Sequence, residues 1–176
     1  MKKVNFSIIT CTLGDQFKLL RLIDSLNKQV IKNFELIIID QGKKTLKFKT
    51  NFHLKYYKNN KLGLSLNRNI GIKLINKNIN FLLFLDDDCS LEKNFFLKVN
   101  RIIRERNCRF LFFPIKNFKK ENIIVKVPKG EGILKRKMNI FNSICSSNFI
   151  IKKNKQLFNI FLGLGSKMLS KSGEDT

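Results

Sequence analysis

Three consecutive carboxylates, Asp86-Asp87-Asp88, follow directly on the five apolar residues at 81–85. An apolar run of that length reads as a strand buried on both faces, as in a parallel sheet. Burying three adjacent carboxylates would be very costly, so they belong at the strand's carboxyl end, where α/β sheets place their ligands. Clustered acids repel one another, and a divalent cation relieves that repulsion. Taken alone, the cluster fits either a metal site or a solvated turn. A second apolar stretch, residues 34–40, also ends in a carboxylate, Asp40, before Gln41-Gly42 turns the chain. In a parallel sheet both acidic ends face one crevice. One carboxylate there could read a base or ribose by accepting hydrogen bonds. Others could hold a cation on a diphosphate, since Mg2+ typically uses one or two carboxylates plus phosphate oxygens. Asp88 would then act through the metal, which offsets charge developing on a departing diphosphate. Arg68 and the basic segment 129–137 are candidates for the same work, although Arg68 reads equally as part of a solvated helix face.

The elements that must position these groups alternate along the chain. Residues 4–10 read as a first strand, and 11–15 as a turn in which Asp15 caps a helix over 17–29. Phe17, Leu19, Leu20, Leu22, Ile23 and Leu26 recur there at helical spacing and predict one buried face. After a basic loop at 43–51, residues 54–58 make a weak strand. A helix over 64–76 has Leu66, Ile70, Leu74 and Ile75 as its buried stripe. Ser90 is placed to cap a helix over 91–106 with Phe95, Phe96, Val99, Ile102 and Ile103 inward. Residues 109–114 and 123–127 read as extended, 144–151 as short and mixed, and 156–162 as apolar. Strands alternating with helices at this spacing predict an α/β fold with a Rossmann-like, mostly parallel sheet flanked by helices. No linker, repeat or low-complexity block divides the chain.

Composition narrows the classes. The 176 residues are 43% hydrophobic and include 17 phenylalanines, which suits a packed core. No apolar run approaches the roughly 18 residues of a membrane span, and the amino terminus does not read as a signal peptide. Cys11, Cys89, Cys108 and Cys145 have no CxxC spacing, and His53 is the only histidine. A zinc site, a disulfide framework and a His-dependent triad are therefore all disfavoured, and the cysteines read as free thiols in a cytoplasmic setting. With 35 basic side chains against 13 acidic, the net charge is +22. Loose attraction to an anionic membrane face or a polyanion follows, giving at most a peripheral place at the inner membrane surface. The basic residues are mostly Lys, and Lys, Asn, Ile and Phe are all over-used, as codon bias in an AT-rich genome produces. Arg, the residue suited to planar phosphate or base recognition, is scarce. With no nucleic-acid motif and no basic patch of interleaved aromatics, no specific nucleic-acid partner is expected.

In order along the chain, these stretches resemble the family 2 glycosyltransferases, nucleotide-sugar-dependent enzymes of GT-A fold. Phe6-Ser7-Ile8-Ile9-Thr10 resembles the family's opening strand. Residues 34–40 with Gly42 resemble its FEIIVVDDGS stretch, with Gln41 where a second Asp is common. Residues 62–71 are similar to LGxxxARNxG, with Asn67 in place of a small residue. Leu85-Asp86-Asp87-Asp88 looks like the DxD element. Residues 146–153 resemble the GGNxxxRR strand, and 162–176 the GxGxxxxSGEDT element.

The resemblance implies a single GT-A domain over residues 1–176, lacking the C-terminal part of the family domain that follows the Glu-Asp pair. It implies that Thr10, Thr12, Asp40, Arg68, Asp86, Asp87 and Asn148 bind the nucleotide sugar, a UDP-sugar for preference. Asp86 and Asp88 would hold Mg2+ or Mn2+. Asp175, beside Glu174, would be the base that deprotonates the acceptor hydroxyl in an inverting transfer. The acceptor would be a glycan or lipid-linked glycan of the cell envelope. Two other readings stand beside this one. The chain could be a donor-binding remnant impaired in catalysis, or a basic polyanion-binding protein.

Overall fold

The chain folds, in a computed structural model that describes residues 4–116, 123–125 and 149–153, around a six-stranded sheet. The elements run β1 (Phe6–Thr12), α1 (Gln16–Asn27), β2 (Phe34–Asp40), β3 (His53–Lys58), α2 (Leu64–Lys73), β4 (Phe81–Phe84), α3 (Phe95–Arg106), β5 (Phe110–Phe112), β6 (Ile115–Lys116), β7 (Ile123–Val125) and β8 (Phe149–Lys152). The sheet order is β3-β2-β1-β4-β8-β5, with β6 and β7 paired separately. Strands β3, β2, β1 and β4 are mutually parallel, and β8 runs antiparallel between β4 and β5. The expected mostly parallel α/β sheet is what forms, and the GT-A expectation holds. No helix among the described residues is long and apolar enough to cross a membrane.

β1, β2 and β4 are the central strands because their sequences leave no polar face to give to water. β2 is buried at every position, Glu35 and Asp40 included, and β4 likewise. One side of the sheet packs on α1 and α3 through a core in which Phe96 lies 5.0 Å from Phe6 and 4.6 Å from Phe34, with Phe95 edge-on at 5.2 Å. The other side is a smaller cluster of Ile9, Ile37, Ile39 and Phe84 beneath α2. Buried Glu35, at the amino end of β2, accepts from the Asn76 amide N–H at 3.0 Å and pairs with Lys55 at 3.3 Å. That carboxylate therefore ties the segment after α2 to the sheet.

Several sequence expectations need correction. Residues 11 and 12 belong to β1 rather than to a turn, because both pair in register with Ile39 and Asp40. Phe17 and Leu20 do not join the buried face of α1, which is Leu19, Leu22, Ile23 and Leu26. α2 does not bury Leu66, Ile70, Leu74 and Ile75 as a stripe. Its buried positions are Ser65, Asn67, Arg68, Asn69 and Gly71, while Ile70, Leu74 and Ile75 are half-buried against the smaller cluster. Gly71 explains the docking, since a Cβ there would sit 2.5 Å from Ile9 Cγ2. α3 starts at Phe95 after Asn94, and Ser90 is not its cap. Residues 89–93 are instead drawn sideways onto the end of α1. Leu91 N–H donates to Ser25 Oγ at 3.1 Å, Gln29 Nε2 to Glu92 O at 2.8 Å, and Val30 N–H to Lys93 O at 3.1 Å. The expected strand at 109–114 is confined to 110–112, and 149–151 of the mixed segment enter β8, which extends to Lys152. The segments 129–137 and 156–162 lie outside the described residues.

Phe96→Ala removes the ring that joins three aromatic neighbours and is expected to cost about 3–5 kcal/mol of stability. Leu97→Ala, at an exposed position on the same helix, should change it by less than about 0.5 kcal/mol. Urea unfolding of the two variants checks the contrast.

Candidate functional site

The parallel register sets Thr12 of β1 beside Asp40 of β2, and the chain leaves β4 at the same edge into Leu85 and the three acids. The carboxyl edge therefore gathers Asp40, Thr12 and Asp86-Asp87-Asp88, with Arg68 arriving from α2.

Asp40 has no exposed surface. Its Oδ1 accepts from the Gly42 amide N–H at 2.7 Å, and its Oδ2 from Tyr56 Oη and from Lys58 Nζ at 3.0 Å. Burial pushes this carboxyl up, but the three donors outweigh it and hold Asp40 below its ordinary value of 3.8. Burial, then the carboxylate beside it, pushes Tyr56 above its ordinary 10.0, so the phenol stays a donor. The β1–α1 loop lies directly over this arrangement. A Cβ on Gly42 would meet Leu13 O at 2.6 Å and Gly14 Cα at 2.7 Å, so only glycine admits that approach.

Thr12 joins the two acidic strand ends. Its carbonyl accepts from the Gln41 N–H at 2.9 Å, its hydroxyl from the Gly14 N–H at 3.1 Å, and the same hydroxyl donates to Asp87 Oδ2 at 2.6 Å. Thr10 is fully buried, and its hydroxyl finds no hydrogen-bond partner among the described residues.

The acidic turn divides its side chains. Cys89 N–H closes it onto Asp86 O at 3.1 Å, Thr12 anchors Asp87, and the Arg21 guanidinium donates to Asp88 O at 2.8 Å. Asp86 and Asp88 are left exposed, while Asp87 is half-buried. Burial raises the pKa of Asp87, opposed by the Thr12 hydrogen bond and Lys18 and reinforced by Asp88 and Asp15. Arg68, 3% exposed, brings one guanidinium nitrogen within 3.9 Å of Asp86 Oδ1 and lies 5.7 Å over the Phe84 ring. Burial, the chief cause, pushes the Cys11 thiol up to about 12, which disfavours the thiolate.

α2 delivers Arg68 because Asn67 anchors the loop before it. Gly63, at the N-cap, has no side chain to offer the helix. Asn67, fully buried, reaches back instead, donating to Gly63 O at 2.7 Å and Lys61 O at 3.0 Å and accepting from Asn59 Nδ2 at 2.6 Å.

Of the sequence-derived residues, the fold brings together Thr12 with Asp87 and Arg68 with Asp86. Asp40 joins them only through the Gly14–Gly42 contact and Thr12. Asn148, Glu174 and Asp175 lie outside the described residues. Tyr56, Lys58 and Arg21 were missed. Tyr56 and Lys58 stand two apart, on one face of a strand, and that period is the signal that could have found them. Among the described residues no three acidic, Cys or His side chains converge on a cation. A site built wholly from protein ligands does not fit, whereas two exposed carboxylates on a pinned turn fit the mode in which phosphate oxygens complete the shell.

Comparison with known proteins adds the following. Residues 7–158 match the family described as glycosyl transferase family 2. No curated protein matches the sequence. The fold is similar to S. aureus TarS 1-349 (TM-score 0.69, 22% identity, 98% of this chain and 53% of that one). It is also similar to TarS 1-349 in complex with UDP (0.62, 20%, 83% and 46%) and in complex with UDP-GlcNAc (0.61, 20%, 83% and 45%). The chain thus spans about half the length of these structures.

A carboxyl whose pKa is lowered by folding contributes stability that is fully present above its unfolded value and lost as pH falls through the folded one. Tyr56→Phe should therefore cost about 1.5–3 kcal/mol at neutral pH. It should also flatten the loss of stability below the ordinary 3.8 of Asp40. Urea midpoints measured from neutral pH downward test both; an unchanged acid slope would exclude the Asp40 linkage.

Proposed function

The chain belongs to glycosyl transferase family 2, and on that premise we propose that it transfers a sugar from a nucleotide sugar, a UDP-sugar for preference, to a hydroxyl of a glycan or lipid-linked acceptor of the cell envelope, with inversion. The observation that carries this reading is the acidic turn. Three separate anchors pin it so that Asp86 and Asp88 face outward at the carboxyl edge while Arg68 holds a buried positive charge beside Asp86. The complexes of TarS with UDP and UDP-GlcNAc support a donor of this class on this fold.

In this reading Asp86 lies at the ribose, and Asp86 and Asp88 hold Mg2+ or Mn2+. Bound there, the cation supplies Lewis-acid neutralisation of the diphosphate's charge. Arg68, itself buried, adds a fixed positive charge on the same side. Asp40 is assigned to recognition of the base; Thr10, Thr12, Asp87 and Asn148 complete the donor side. Asp175, with Glu174 beside it, takes the proton of the acceptor hydroxyl. That oxygen attacks the anomeric carbon on the face opposite the departing nucleoside diphosphate. A base on one face and charge stabilisation on the other is the division an inverting displacement requires.

Titration of UDP with and without Mn2+, followed by donor turnover, tests the assignment. Asp88→Ala should weaken metal-dependent UDP binding by roughly 10–100-fold. Asp175→Asn should keep UDP binding but lower turnover by roughly 10²–10⁴-fold. Parent-like behaviour of both variants would refute the assignment. UDP binding by the parent without any transfer would identify a donor-binding chain. Steeply salt-dependent nucleic-acid binding without UDP affinity would identify a polyanion binder.

A further inference from the structure

Helix α1 buries four of its apolar side chains completely or nearly so, yet leaves two others in water. Leu19, Leu22, Ile23 and Leu26 enter the core, while Phe17 is 87% exposed and Leu20 is 42% exposed. Leu13, in the loop that leads into the helix, is 71% exposed. Phe17 and Leu20 stand three residues apart and so share one face. Single exposed apolar residues need no explanation, but an aromatic and a leucine on one helix face, with a further leucine in the loop that leads into the helix, form a surface suited to contact.

The charge around this corner is basic. Lys18 of the same helix and Lys28 at its C-cap are exposed. The helix acids Asp15 and Asp24 are answered by those lysines at 3.8 and 2.5 Å. Across the contact between Leu13 and Gly42 begins the β2–β3 loop, where Lys43, Lys44, Lys47 and Lys49 are all exposed. A hydrated polyanion would satisfy the lysines but would give no return for Phe17 and Leu13. A lipid surface satisfies both, because apolar side chains enter the boundary between headgroups and acyl chains while cations lie over the phosphates.

We propose that the outer face of α1, together with Leu13 and the lysines of the β2–β3 loop, docks on an anionic phospholipid bilayer. The contact is peripheral. It also sets an orientation, because Arg21 of the same helix holds the Asp88 carbonyl at 2.8 Å, so the acidic turn stands at the edge of the docked face. An acceptor carried by a lipid would then present its hydroxyl at the mouth of the crevice. The docking goes beyond the transfer reading and is measured without any donor, so the failure of one is distinguishable from the failure of the other.

The sequence contains no tryptophan, so Phe17→Trp installs a single fluorescent reporter at the proposed contact. Its emission should shift to the blue with vesicles of three parts phosphatidylcholine to one part phosphatidylglycerol, and not with phosphatidylcholine alone. In vesicle sedimentation, Leu13→Gln/Phe17→Gln and, separately, Lys43→Gln/Lys44→Gln should each weaken binding about tenfold or more, as expected where apolar burial and charge act together. Their thermal melting should match that of the parent. Three results would overturn the proposal: an emission spectrum indifferent to anionic vesicles; apolar variants that bind as the parent does, which would mean adhesion by charge alone; or a dimer of the parent in light scattering that the apolar double variant abolishes, which would mean that a second copy covers this face.

Discussion

A carboxylate with no surface of its own must find its hydrogen-bond donors inside the protein, and Asp40 organises the edge of the sheet by that necessity. Its three donors come from the turn that follows it and from the neighbouring strand. Leaving a charge of this kind unpaired in the interior would cost several kcal/mol. Satisfying it fixes Gly42 close above β2, sets the Tyr56 and Lys58 face of β3 against that strand, and leaves a flat place onto which Leu13 and Gly14 settle. Thr12 then stands where its hydroxyl can reach Asp87. The acidic turn is thus braced from a strand two places away in the sheet, with no direct contact between Asp40 and the three aspartates.

The turn itself shows how adjacent like charges are kept apart in function. The middle carboxylate is held by the Thr12 hydroxyl, and burial raises its pKa. The outer two remain exposed at the carboxyl edge of the sheet. The same economy appears on α2, where polar residues rather than apolar ones are buried. Asn67 ties its own helix to the preceding loop by donating to Gly63 O and Lys61 O, and Arg68 follows with its charge held beside Asp86. An apolar stripe would have anchored this helix more cheaply but would have delivered no cation to the site.

Much of this was legible in the residues. Continuous apolar runs ending in acids located β2 and β4 and predicted that both would point to one edge. Asp15 was read correctly as a cap, its carboxylate oxygen accepting from the Lys18 N–H. The errors share a cause. Periodicity reports what a helix could bury, not what the space beneath it accepts. It therefore overestimated Phe17, Leu20 and Leu66 and missed that Gly71 lets α2 descend onto Ile9. The helix over 95–106 was begun too early because lateral bonds from Ser25 and Gln29 are invisible in a linear pattern. The donors of Asp40 were missed because β3 is only partly apolar. A strand judged weak by its apolar content was not searched for its polar face.

The position of β8 carries a cost in time. Among the described residues it lies between β4 and β5, and β5 joins the sheet through it. Yet residue 149 follows residue 84 by 65 positions. At a ribosomal pace of roughly 5–20 residues per second, the gap is about 3–13 s. Through that interval the apolar edge of β4 waits without a hydrogen-bonding neighbour, and unpaired strand edges of this kind invite pairing with other chains. The strand that leads into the acidic turn is thus made well before the neighbour that encloses it.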